Sequence, residues 1–337
     1  MFSPLIIQTG SGLYCSAGDF YIDPWRPVER AVITHAHGDH ARVGSDSYLC
    51  SSPGKSILQN RLGDAAVIDD LPYGEAIEHH GVRLSFHPAG HVLGSAQVRL
   101  EHHGEVWVAT GDYKLDPDPT CAAFEIIRCH ALITESTFGL PVYRWAQPSE
   151  VFTEINAWWR SNRDAGKASV LFGYALGKAQ RLLSGLDASI GPIYLHGAVE
   201  RMTIEYRKAG VDLPPTQHVS AATPGTTWAG AMIVAPPSAH NSPWSRRFGD
   251  AGTAMASGWM RVRGARRRRA IDRGFVLSDH VDWPGLHRVV NECGATQVWV
   301  THGFIGPVVR HFKEMGLDAH AMTTEYEGET DEPEGEP

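Results

Sequence analysis

Thr34-His35-Ala36-His37-Gly38-Asp39-His40 puts four side chains of metal-ligating type within six residues. The stretch follows directly on an apolar run, AVIT (31–34), that reads as a short buried strand. Side chains two apart on a strand share a face, so His35 and His37 point to one side. If the chain then turns into a helix, Asp39 and His40 face a neighbouring point. That geometry suits two adjacent ions better than one. Histidine and carboxylate donors together favour zinc, with manganese or iron as alternatives.

Working outward, three more donors follow short apolar segments. His91 lies in HPAGHVLGSA (87–96), Asp112 in VWVATGDYK (106–114) and His302 in QVWVTHG (297–303). Loops at strand ends of a rigid scaffold are where ligands collect. Singly, each is an ordinary polar residue at a strand end. Their occurrence beside HxHxDH makes them candidates.

The flanking pattern predicts two organisations. The first part of the chain reads as strands with turn punctuation: a hairpin in GLYCSAGDFYIDP (12–24) turning at Ala17-Gly18, VRLSFHPA (82–89), a hairpin in AQVRLEHHGEVWVAT (96–110) turning at His103-Gly104, and ALIT (131–134). An amphipathic helix follows over 149–163, opened by Ser149 as N-cap, with Phe152, Ile155 and Trp159 on one face. Strand-like runs at 169–176, 192–197 and 231–237 then alternate with helical segments, the signature of a parallel α/β sheet. Strands resume in GFVLS (274–278) and QVWVTHG, separated by a helix near 283–292. The expected organisation is one domain built from 1–142 and 273–323, a second inserted at 143–272, and a tail at 324–337.

The chain has 337 residues, 18 histidines and a net charge of −8. Its last 15 residues, TTEYEGETDEPEGEP, hold seven acids and no base, so without them the charge is −1. Such a segment is expected to be a disordered, solvated tail. The five cysteines (15, 50, 121, 129, 293) are odd in number and lack CxxC spacing. They read as reduced thiols of a cytoplasmic protein, and cysteine-held zinc is disfavoured. No apolar run reaches the ~18 residues of a membrane span, and nothing marks export. Arg261, Arg263, Arg266, Arg267, Arg268 and Arg269 form a basic run suited to a phosphate backbone; a solvated loop or a partner for the acidic tail are the plainer readings. Tryptophans such as Trp158, Trp159, Trp228, Trp244 and Trp259 suggest base stacking, though core packing accounts for most. Gly177-Lys178 lacks the spaced glycines of a P-loop.

HAHGDH, GHVLGSA and TGDYK together resemble the metallo-β-lactamase superfamily. LITESTFG (132–139), FVLSDHVDWPGL (275–286) and VTHG (300–303) resemble the motifs of its β-CASP nucleases, and GKAQRLL and SGWMRVRG resemble segments of their inserted domain. GLYCSAGDFYIDPWRPVERAVITHAHGDHA (12–41), CHALITESTFGLPVYRW (129–145) and INAWWR (155–160) are similar to the bacterial ligase-associated DNA damage response exonucleases. This resemblance covers about residues 2–325. It implies a four-layer αβ/βα sandwich with an inserted α/β β-CASP domain. It also implies a site of two Zn2+ (or Mn2+), with His35, His37 and His91 on one ion, Asp39, His40 and His302 on the other, and Asp112 bridging. Asp23 would support the ligand loop, and Glu135 and His280 would form a pair in which His280 donates a proton to the leaving oxygen. Asp279, beside His280, would tend to raise the pKa of that histidine.

The implied activity is a metal-dependent DNA exonuclease on single-stranded ends or flaps, working with an ATP-dependent DNA ligase and a helicase. His302 is the residue that RNA-cleaving relatives carry, so a nuclease of the mRNA 3′-end-processing kind is the alternative. A hydrolase of small esters shares HxHxDH but not the insertion. A non-catalytic nucleic-acid-binding scaffold is disfavoured by the full ligand set.

Overall fold

The computed structural model describes residues 4–222, 226–262 and 271–325. They form a mixed α/β structure in two compact units. The first unit comprises described residues up to 115, then 121–144 and 280–325; the second comprises 116–120 and 145–279.

The first unit opens with a six-stranded sheet, β1 (Ile6–Gln8), β2 (Leu13–Cys15), β3 (Phe20–Ile22), β4 (Arg30–Val32), β5 (Ser47–Ser51) and β6 (Ile68–Leu71), in that spatial order. Helix α1 (Lys55–Leu62) lies between β5 and β6 in the chain. A second sheet starts with β7 (Ala76–His79), β8 (Val82–Pro88), β9 (Ala96–His102), β10 (Glu105–Ala109) and β11 (Ala131–Ser136). The hairpins expected at Ala17-Gly18 and His103-Gly104 are present as β2–β3 and β9–β10. AVIT is strand only at its start, since β4 ends at Val32 and leaves Ile33 and Thr34 to lead into the histidines.

The second unit is a parallel sheet of β12 (Ser169–Phe172), β13 (Ile193–Leu195), β14 (Gln217–His218), β15 (Met232–Ala235), β16 (Gly252–Ala256) and β17 (Arg273–Phe275). Their spatial order is β14-β13-β15-β12-β16-β17. Helices α2 (Pro148–Asp164), α3 (Lys178–Ser184) and α4 (Gly197–Lys208) complete it. The alternation of strand and helix expected here is what forms. Ser149 is not the cap of α2: Pro148 takes the first helical turn, which needs no N–H there, and moves the cap to Gln147. Trp158 and Trp159 are buried, and Trp159 Nε1 donates to Gly230 O at 3.0 Å, so this pair packs the unit.

Within the second unit, α3 carries a buried charge network. Lys178 Nζ lies 2.9 Å and Arg181 Nη1 3.0 Å from the two oxygens of Asp279. Arg181 also faces Asp116 and Asp118, each at 3.7 Å. The Asp279 carboxylate is thus met by two cations, not left unpaired to act on His280. Long-range pairs of this kind are what draw residues 116–120 into the second unit.

The chain returns to the first unit with α5 (Trp283–Cys293), β18 (Gln297–Gly303), α6 (Ile305–Glu314) and β19 (Asp318–Ala321). The second sheet is then β19-β18-β11-β10-β9-β8-β7. One of its faces shares a core with the first sheet, where Phe20, Ile22 and Val32 meet Leu84, Phe86, Val98, Trp107 and Ile133. The other face, with Val108, Leu132, Val298 and Val300, is covered by α5 and α6 through Leu286, Val289, Val308 and Phe312. Burial on both faces explains why β10, β11 and β18 are near-continuous apolar runs that end abruptly in polar residues. No helix among the described residues is long and apolar enough to cross a membrane.

Candidate metal centre

The polar residues collect where β4, β10, β11 and β18 end. After Thr34 the chain forms a turn, not a helix: the backbone N–H groups of His40 and Ala41 both donate to His37 O, at 3.1 and 2.8 Å. That tight turn brings His35, His37, Asp39 and His40 to one place.

Two neighbouring residues orient the imidazoles. Asp23 accepts from Thr34 N at 2.7 Å, from Thr34 Oγ1 at 2.6 Å and from His40 Nδ1 at 2.7 Å. The Thr34 hydroxyl in turn accepts from His35 Nδ1 at 3.1 Å. With both Nδ1 atoms engaged as donors, the Nε2 atoms of His35 and His40 face inward. Gly111 lies so close to Thr34 that a Cβ would come within 2.7 Å of it, and its φ of +56° suits glycine. Asp23→Asn is therefore expected to lower metal affinity about 10- to 100-fold while the fold persists. Titration against a chromogenic chelator measures this, and an unchanged affinity would show that Asp23 does not orient a ligand.

Three donor groups converge. His35, His37, His91 and Asp112 form one; His40, Asp112 and His302 a second; Asp112, Glu135 and His280 a third, each with ligand atoms within 4.8 Å of one another. His35 Nε2 and His91 Nε2 both lie 3.0 Å from His37 Nδ1. With its proton on Nδ1, His35 presents a lone pair to His37, and one His37 Nδ1 cannot serve it and His91 Nε2 together, whereas three lone pairs around a cation raise no conflict. His40 Nε2 is buried without a hydrogen-bond partner, 3.4 Å from Asp112 and 3.6 Å from Asp39. Buried orphan nitrogen, converging imidazoles and a carboxylate common to all three groups fit a divalent cation.

Burial and its three histidine neighbours hold the pKa of His35 well below 6.5, against the pull of Asp112, so it is a neutral donor. Burial and His40 lower His302 as well. For His40, burial acts downward, but the carboxylates of Asp112, Asp39 and Asp23 outweigh it and set the pKa well above 6.5. Asp112 is buried, which would raise it, yet His40, His280 and His35 hold it well below 3.8.

His302 reaches the site through a backbone irregularity. β11 and β18 run in register until Glu135↔Thr301, then shift so that Ser136 pairs with Gly303. His302 is the extra residue of this bulge, with φ at +51°. Glu135, fully buried at the same point, accepts from Tyr113 N at 2.9 Å and from His280 Nδ1 at 2.9 and 3.0 Å. His280 Nδ1 is 4.0 Å from Asp112, and its Nε2 is turned away from Glu135.

The structure thus brings together His35, His37, Asp39, His40, His91, Asp112, Glu135, His280 and His302, with Asp23 behind them. Of the arginine run, Arg261 ends a short 3-10 turn (Gly258–Arg261) and is exposed; Arg263, Arg266, Arg267, Arg268 and Arg269 lie outside the described residues. Sequence reading missed Lys114. It is buried, and its Nζ donates to His91 O at 2.7 Å and to Gly90 O, pinning the turn that carries His91. A lysine two residues after Asp112 was the signal available.

No family model matches the chain. It is 33% identical over 324 residues to a probable DNA ligase of Opitutus terrae, covering 95% of this chain and 31% of that protein. It is 31% identical over 173 residues to the endoribonuclease YSH1 of Gibberella zeae, covering 50% of this chain and 20% of that one. It is 32% identical over 196 residues to the cleavage and polyadenylation specificity factor subunit 3 of Dictyostelium discoideum, covering 48% and 25%. The chain therefore spans a fifth to a third of the length of these curated relatives. A solved structure of a protein of unknown function from Enterococcus faecalis matches with a TM-score of 0.59 at 11% identity, over 89% of this chain and 80% of that one, a likeness of fold.

Proposed function

The chain belongs to the β-CASP nucleases of the metallo-β-lactamase family, and from this we propose that it is a di-metal phosphodiesterase, a DNA exonuclease acting on single-stranded ends or flaps in DNA repair. The observation that carries the proposal is the convergence of three donor groups on Asp112, in a chain similar over nearly its whole length to a probable DNA ligase. In this reading the fold is the four-layer sandwich of that family, and 143–272 is its inserted β-CASP domain.

His35, His37 and His91 would hold one ion and Asp39, His40 and His302 the other, with Asp112 shared. Zinc suits these donors, and manganese is the alternative. Two such ions supply charge neutralisation for a phosphodiester and a water acidified toward pH 7. The residues of the chain do the rest. Glu135 holds His280 by Nδ1, which leaves Nε2 to donate a proton to the leaving oxygen. Burial of both residues keeps competing water from the pair.

Proton linkage gives a check on the assignment of His40. Its pKa is raised in the metal-free fold, so it carries a proton at neutral pH that an ion on Nε2 must displace. The stabilisation from protonated His40 is fully present below its unfolded value near 6.5 and is lost as pH rises through the raised folded value. Metal affinity is therefore expected to increase with pH across that window. Calorimetry in buffers of different ionisation enthalpy should show proton release on metal uptake. Proton-neutral uptake would remove His40 from the ligand set.

A second reading, an RNA-processing nuclease, is favoured by His302 in the second donor group and by likeness to endoribonucleases. One experiment decides. The purified chain, with zinc or manganese, is given 5′-labelled DNA and RNA oligonucleotides of one sequence, beside an Asp39→Ala, His40→Ala double variant. DNA laddering lost in the variant supports the DNA exonuclease; cleavage of RNA alone replaces it with the second reading. Likeness to a probable DNA ligase supports a DNA ligase as partner; that it is ATP-dependent, that a helicase joins it on the same lesion and that this happens in the cytoplasm belong to the proposal alone.

A further inference from the structure

A cation stands beside the ligand turn without a role in it. Arg61, in the last turn of α1, lays its guanidinium against Gly38, the residue between His37 and Asp39; a Cβ on Gly38 would overlap Nη2 and Cζ. The arginine is exposed and makes no hydrogen bond or ion pair among the described residues. Two partly buried cations of this unit are already engaged. Lys55, on the same helix, pairs with Asp70 at 2.7 Å, and Arg30 pairs with Asp19 at 2.6 Å. Arg61 thus lies beside the ligand turn while, among the described residues, its charge balances no carboxylate.

Its chemistry suits a particular occupant. A guanidinium offers a planar fork of donors that matches two oxygens of a phosphate, and it stays charged at any working pH. The donor groups would engage the scissile phosphate, which leaves a cation one step along the turn for a neighbour. We infer that Arg61 binds a non-scissile phosphate of the nucleic acid strand and so positions the strand over the site. The inference rests on the nuclease reading above.

The test uses the full chain with metal and single-stranded oligonucleotides, followed by kcat and KM over a range of salt. Arg61→Ala is expected to raise KM about tenfold, the worth of one charged hydrogen bond, with kcat and metal content little changed. The slope of log affinity against log salt should shrink by about 0.7, one phosphate contact on a single strand. Arg61→Lys should keep the slope and part of the affinity. Single methylphosphonates, scanned along the strand, should reveal one position that costs the wild type the same factor and costs Arg61→Ala nothing further. In a parallel arm the terminal phosphate is removed, and the same non-additivity there would place the contact on the strand end. Unchanged KM and slope in Arg61→Ala would overturn the inference. So would loss of metal together with activity, which would make Arg61 a prop for Gly38. A wild type that cleaves neither DNA nor RNA would instead overturn the nuclease reading, and this inference with it.

Discussion

Asp112→Ala is expected to lose metal and to lower phosphodiesterase activity by on the order of 10³-fold or more. Residues that only orient a ligand change affinity or activity about 10- to 100-fold when removed. Asp112 is placed to do more. Its Oδ2 lies 3.4 Å from His40 Nε2, 3.6 Å from His35 Nε2 and 3.9 Å from His91 Nε2, and it belongs to all three donor groups. Removing it takes away the only carboxylate common to both proposed ion positions. It also leaves the neighbouring imidazoles to repel one another once charged. Asp112→Asn keeps the shape and removes the charge, so it separates lost volume from lost ligation. Elemental analysis for bound metal and a rate on labelled oligonucleotide measure the outcome. A variant holding two ions at wild-type rate would sink the bridging assignment.

His280→Ala should behave differently: kcat falling about 10²- to 10⁴-fold, the range for loss of a general acid, with metal content intact. The basis is the pair with Glu135, in which both carboxylate oxygens lie within 3.0 Å of Nδ1. A substrate whose leaving oxygen is replaced by sulfur needs no proton from the enzyme, so it should restore most of the lost rate. Glu135→Gln should fall between wild type and His280→Ala, because an amide oxygen still accepts from Nδ1 but no longer stabilises the imidazolium. His280 and Glu135 also complete a possible ligand group with Asp112. If His280→Ala loses metal, and sulfur fails to restore the rate, the histidine is a ligand and the acid role is wrong.

Much of the site was legible because its donors are local in sequence. Four of them fall within six residues, and the others stand at the ends of apolar runs that announce themselves as strands. What could not be read depends on contacts between distant residues. The bulge that turns His302 inward exists only once β11 and β18 pair, and neither segment carries a glycine or proline before the irregularity to mark it. Asp279 read as an extra charge beside His280 because its partners, Lys178 and Arg181, lie about a hundred residues earlier. The cap of α2 was misplaced by two residues: serine is the commoner N-cap, but Pro148 has already begun the helix. Lys114 was passed over because a lysine after a strand is usually solvated, and only the fold shows that this one is buried against backbone carbonyls.

The bulge on β18 also sets an order of assembly during synthesis. A chain emerging N-terminus first presents the donors from His35 to Asp112 early. The second group waits for His302, on β18. β18 must find β11 as a parallel neighbour across residues 145–279, most of the second unit's sequence, and such distant pairings are the slow ones. A fragment ending anywhere before β18 therefore holds only part of the donor set. As the proposed nuclease, the chain would be inert toward nucleic acid until β18 had been made and paired with β11.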